Sequence, residues 1–87
     1  MNTDVYKKRT GLNSREVETE TVIIDRETGE VHQLNATASY IWDSLDGETA
    51  IQVICESFAK DFNIPGDQSE KDVAEVIKQF KSLNLIE

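Results

Sequence analysis

The chain has 87 residues, 38% of them hydrophobic, with one Pro and four Gly, which is enough for one small domain and excludes a two-domain enzyme. Nine Lys and Arg against seventeen Asp and Glu leave a net charge of −8, which repels phosphate backbones and argues against general nucleic-acid binding. A single Cys forbids an intrachain disulfide, and without a long apolar run or a charged-then-apolar opening the expectation is a soluble cytoplasmic protein with no membrane partner.

Residues 1–11 carry Lys7, Lys8 and Arg9 against Asp4, while the remainder holds six cations against sixteen carboxylates. Closed by Gly11, this short cationic leader reads as a mobile arm ahead of one domain over residues 12–87. A weak strand follows over about Leu12–Val17, with Glu18–Glu20 as its turn. Thr19–Asp25 is rich in β-branched residues, and the run Val22-Ile23-Ile24 predicts a central strand covered on both faces. Arg26-Glu27-Thr28-Gly29 is a turn in which Gly29 can take positive φ. Glu30–Leu34 then alternates, with Val31 and Gln33 on one face and Glu30, His32 and Leu34 on the other. The three strands form an antiparallel meander whose third member has a free edge.

From Asn35 the apolar period becomes helical. Asn35 caps a first helix with Ala38, Ile41, Trp42 and Leu45 on one face, ended by Asp46-Gly47. Thr49 with Gln52 has capping-box spacing, and Ile51, Ile54, Cys55, Phe58 and Phe62 form the second stripe. Ile64–Gln68 reads as a loop because it holds Pro65 and Gly66. Ser69 with Asp72 marks a third helix with the stripe Val73, Val76, Ile77, Phe80 and Leu83. Asn84 suits a left-handed exit, after which Leu85-Ile86 return to the core. The order is βββααα, an α+β fold.

No catalytic constellation can be assembled from these residues. His32, the sole His, has no Cys or Ser at motif spacing, and Cys55 belongs to an apolar helix stripe where a thiol behaves as a small hydrophobe. One His and one Cys cannot make a zinc site alone, the four Gly form no phosphate loop, and the carboxylates single out no acid/base pair. We expect no enzyme activity, no metal and no cofactor.

The run ETVIID-RETG-EVHQLN-ATASYIWDSLDG, followed by the second helix and EKDVAEVIKQFKSLNLI, resembles the PqqD family, the small recognition elements for ribosomally made, modified peptides. The likeness spans about Arg15 to Ile86. It is most specific at Leu34-Asn35, Thr37-Ala38, Ile41-Trp42, Leu45 and Asp46-Gly47, and continues through Asp72-Val73, Val76-Ile77, Phe80 and Leu85-Ile86. Asn84 stands where the family usually has Gly, a change the left-handed tolerance of Asn accommodates. A Thr common at the start of the second helix is displaced, with Ala50 there and Thr49 before it.

The resemblance implies a winged-helix-like domain that binds the leader of a precursor peptide and hands it to a peptide-modifying enzyme such as a radical SAM enzyme or a leader peptidase. The leader would add as an antiparallel strand to the third strand and pack against the third helix. Independently, a meander leaves the third strand with unpaired backbone groups, the substrate for strand addition. By position, the peptide-binding residues are Glu30, Val31, His32, Gln33 and Leu34 on the strand. Val73, Val76, Ile77 and Phe80 would line the groove, although a stripe at helical spacing also describes plain core. Two other classes are a winged-helix DNA-binding regulator, opposed by Glu70, Asp72 and Glu75 on the third helix, and a structural subunit with no peptide ligand.

Overall fold

The computed structural model describes residues 3–87. Three strands, β1 (Leu12–Val17), β2 (Glu20–Asp25) and β3 (Val31–Leu34), precede three helices, α1 (Ala36–Ser44), α2 (Ile51–Phe62) and α3 (Gly66–Ser82). The sheet is an antiparallel meander in the order β1-β2-β3, with Leu12 opposite Asp25 and Thr21 opposite Leu34. Gly29 turns the second hairpin at φ 78°, donating its N–H to the Asp25 carbonyl (2.8 Å).

The period-2 geometry of β2 sends Thr21, Ile23 and Asp25 to the helical side, where all three are buried. Val22 is only half-buried, and Ile24 is 45% exposed on the opposite face. The expectation that both faces of β2 are covered is therefore corrected: three helices suffice for one side of the sheet, and among the described residues no element lies on the other.

Asn35 caps α1 as its position suggested, its Oδ1 accepting from Ala38 N–H (2.9 Å). The helix buries Ala38, Ile41 and Trp42, and the Trp42 ring meets Phe80 edge-on at 5.4 Å. Lys8 lies over the same indole at 5.0 Å. Ser39 Oγ donates to the Leu34 carbonyl (3.2 Å), tying the end of β3 to α1.

Two helix starts differ from the sequence reading. Thr49 does not cap α2, because Asp46 claims it: Oδ1 accepts from Glu48 N–H (2.9 Å) and Thr49 N–H (2.7 Å), and Oδ2 from the Thr49 hydroxyl (2.8 Å). Ala50 occupies the cap without a side-chain bond. α3 begins at Gly66, one turn before Ser69, with Pro65 as its cap at φ −60°. A Pro at the entrance loses no helical bond and starts the helix rather than breaking it. Ser69 is instead buried inside α3, donating to the Cys55 carbonyl of α2 (2.6 Å). Phe62, expected inside, is partly exposed and packs on Tyr40 at 5.3 Å and Phe58 at 4.5 Å.

The cationic leader is not a mobile arm over its described part; residues 1 and 2 of that reading lie outside the described residues. Tyr6 O accepts from Gly47 N–H (3.1 Å), and Lys8 forms a β-bridge with Ile86, flanked by Arg9 N–H to Leu85 O (3.0 Å) and Glu87 N–H to Lys7 O (2.8 Å). Arg9 donates to the carbonyl of Asn84 (2.7 Å) and pairs with Asp25 and with Glu27 (3.0 Å). The charges of Lys8 and Arg9 thus have fixed partners, which composition does not reveal. Asn84 takes positive φ (58°) as expected, returning Leu85 and Ile86 to the core.

Candidate functional site

β3 forms one border of the sheet, and its hydrogen-bond phase follows from the turn that precedes it. Asp25 N–H donates to Glu30 O (2.8 Å), so Asp25 and Glu30 form a closely bonded pair in the antiparallel ladder. Bonded and non-bonded pairs alternate. With Ile24 opposite Val31, Ile23 opposite His32 and Val22 opposite Gln33, the backbones of His32 and Leu34 bond inward to β2. The N–H and C=O groups of Val31 and Gln33 therefore point outward along the border.

Side chains alternate the other way. His32 and Leu34 share the helical face with Ile23 and Thr21, Leu34 being buried and His32 half-buried. His32 Nε2 lies 3.5 Å from a Glu30 carboxylate oxygen. Val31 is 63% exposed on the outer face, and Gln33 beside it donates to Glu20 Oε1 (3.1 Å). Glu30 itself stands just before β3, exposed, with its carbonyl extending the ladder by one bond.

The other border of the sheet, β1, is built differently. It presents Asn13, Ser14, Arg15 and Glu16, all exposed. Glu16 is hydrogen-bonded to Asp43 and faces its negative charge, which pushes the Glu16 carboxyl upward, with slight desolvation adding to it. Charged edges discourage a further strand, and β3 (Val-His-Gln-Leu) has neither Lys nor Pro to do so.

The four α3 residues expected to line the groove lie inside the fold. Val73, Val76, Ile77 and Phe80 are all buried, none more than 8% exposed, and they belong to the hydrophobic core with Trp42, Ile41 and Leu85. Helical spacing marked them correctly as one face, but that face packs against α1 and α2. α1 contacts both β3 and α3, and Leu34 of β3 belongs to the same core cluster as the four α3 residues. A cavity of about 520 Å³ lies between α2 and α3, lined by Tyr6, Cys55, Ile77 and Lys81 among others, and no β3 residue contributes to it.

Cys55 is buried, and burial, then the charges of Glu70 and Glu56, push its thiol upward, away from the thiolate that nucleophilic chemistry requires. Among the described residues no three His, Cys, Asp or Glu gather as metal ligands, and no helix is long and apolar enough to cross a membrane. Sequence reasoning missed the division of labour within β3, outward backbone at Val31 and Gln33 and inward backbone at His32. Its signal is a single hydrogen bond at the turn, which no residue type announces.

Comparison with known proteins adds three findings. The family model described as coenzyme PQQ synthesis protein D (PqqD) matches residues 20–86. Two solved structures share the fold: TbiB1 in complex with the TbiA(beta) leader peptide, with TM-score 0.85, 21% identity and 93% and 94% of the two chains covered; and lasso peptide synthetase B1 complexed with the leader peptide, with TM-score 0.84, 21% identity and 97% and 99% covered. No curated protein matches the sequence.

Proposed function

The chain belongs to the PqqD family, and from that premise we propose that it is a non-catalytic module that takes the leader of a ribosomally made precursor peptide as a fourth strand on β3 and presents it to a modifying enzyme. The observation that carries this reading is the uncapped border of β3, with the backbone groups of Val31 and Gln33 directed outward and no charge or Pro on the strand to repel a neighbour. Main-chain pairing supplies affinity with little demand on sequence. Selectivity comes from the side chains flanking it: His32 and Leu34 towards the helices, Val31 and Gln33 on the outer face, and Glu30 at the entrance. Val73, Val76, Ile77 and Phe80 support that edge from the core rather than touching the peptide.

The two structural neighbours are themselves complexes with leader peptides, which supports extending peptide capture to this chain. The modifying enzyme, such as a radical SAM enzyme or a leader peptidase, is the partner of the loaded complex. The DNA-binding reading gains nothing from α3, whose exposed residues include Asp67, Glu70 and Glu75 alongside Lys71 and Lys78.

Amide hydrogen exchange tests the proposal directly. In the free protein the amides of Val31 and Gln33 should exchange quickly and that of His32 slowly. On saturation with a synthetic leader peptide, Val31 and Gln33 should become protected by tenfold or more while His32 changes little. Bound peptide with no protection at either outward amide would refute strand addition.

A further inference from the structure

The outer face of the sheet carries an apolar row where an unoccupied border would carry charge. Val31 and Ile24 stand opposite each other there, 63% and 45% exposed, and nothing in the described residues covers them. In the neighbouring row Gln33 stands opposite Val22, and its amide is held by Glu20 (3.1 Å). The residues whose side chains form the outermost members of both rows, Val31 and Gln33, are the ones whose backbone groups point outward. Any residue bonded to them therefore places its own side chain on this face, with Cβ atoms about 4.5–5.5 Å apart.

Building on the strand-addition reading, we propose that the outer face of β3 is a specificity surface. It selects a leader strand with a β-branched or aromatic residue opposite Val31 and a polar or basic residue opposite Gln33. The apolar residue extends the row Ile24–Val31 and covers it from water; aromatic and β-branched cross-strand pairs are the favourable ones on a sheet face. Opposite Gln33 the incoming side chain approaches an amide already held by the Glu20 carboxylate on the same face, and that negative charge disfavours an acidic residue there. In an antiparallel strand the residue opposite Gln33 comes two positions before the one opposite Val31. The pattern is thus polar or basic, then one residue directed towards the helices, then β-branched or aromatic.

The experiment is selection of a phage-displayed library of random dodecapeptides on the intact wild-type chain, repeated on Val31→Lys and on Gln33→Pro. Among clones that bind wild type and are lost on Gln33→Pro, the three-residue pattern should be enriched. On Val31→Lys the apolar position should change to Asp or Glu while the rest of the pattern persists. Wild-type clones should bind that variant about three- to fivefold more weakly. Clones that depend on Gln33 but have the same composition on wild type and Val31→Lys would overturn the specificity surface and leave strand addition standing. Clones indifferent to Gln33→Pro would overturn both. Should Gln33→Pro fail to fold, selected peptides N-methylated at successive residues make the same distinction on the wild-type protein. Loss of binding at alternate positions supports pairing at the border, and uniform tolerance overturns it.

Discussion

Proline substitution at two adjacent positions separates the sheet from its border. At His32 the amide bonds inward to the carbonyl of Ile23, a fully buried residue of the middle strand. His32→Pro removes that donor and leaves a buried carbonyl unpaired, a cost of about 1–3 kcal/mol before any clash of the ring with β2. For a domain of 87 residues, total stability is about 4–13 kcal/mol, so the loss is a large fraction of it. With about 4–8 °C per kcal/mol in a domain of this size, the melting temperature should fall by at least about 4 °C. At Gln33 the amide points to solvent, and only the exposed side-chain bond to Glu20 is lost. The residue before a proline is held to extended conformations, which His32 already has within β3. Gln33→Pro should therefore melt within a few degrees of wild type yet bind a synthetic leader peptide at least tenfold more weakly, about 1.4 kcal/mol. Thermal melts followed by circular dichroism, then isothermal titration of the folded variants, provide both numbers. A folded Gln33→Pro variant with unchanged affinity, or two variants equally destabilised, would refute the assigned phase of β3.

Trp42 is 2% exposed, against Phe80 and beneath Lys8, so Trp42→Ala should cost about 3–5 kcal/mol and abolish the near-ultraviolet dichroism of the core; a cooperative melt close to wild type would show that the site collapses without loss. Stability should respond to pH with opposite signs at two carboxyls. Burial alone would raise Asp25, but the backbone N–H groups of Glu27 and Thr28 and the charge of Arg9 outweigh it and hold the group below its usual range. Its contribution is therefore present above about pH 4 and lost as pH falls through the lowered value, and Asp25→Asn should flatten that acid decline in chemical-denaturation curves. Glu16, raised by Asp43, contributes below its ordinary value of 4.5, and that contribution disappears as pH rises through the raised one. Glu16→Gln should accordingly raise the melting temperature at pH 7 relative to wild type, with the advantage shrinking towards pH 4. An advantage equal at both pH values would contradict the carboxyl pairing.

The order of elements was legible because each signal is sustained: a β-branched run in β2, alternation in β3, then helical stripes whose members the structure buries, such as Ile41, Trp42, Phe58 and Phe80. Local competition was not. Thr49 had capping spacing, but Asp46 three residues earlier bonds the same groups first, and nothing in the pair Thr-Gln shows which wins. Pro65 was read as a breaker although at a helix entrance it has no bond to break. The candidate site divides in the same way. Periodicity located β3 and its border, but the side chains of the α3 stripe could be groove or core with equal justice to their spacing. Only the burial of Val73, Val76, Ile77 and Phe80 in the folded chain, none more than 8% exposed, puts them in the core. The exposed Val31–Ile24 row escaped notice because three consecutive apolar residues in β2 look like burial on both faces.

The bridge between Lys8 and Ile86 has a consequence for how the molecule is made. Arg9 donates to Asn84, 75 residues further along the chain, so this segment waits during synthesis for a distant partner. At about 5–20 residues per second that wait is roughly 4–15 s, long compared with the formation of a helix or hairpin. Through that interval the β-meander and α1 can form, yet Leu85 and Ile86 are not there to close the core, and Lys8 has no strand to hold it over Trp42. The nascent chain therefore carries an open apolar flank until residues 84–86 have been synthesised. A premature stop before residue 84 therefore also takes away the backbone partners that hold residues 7–9.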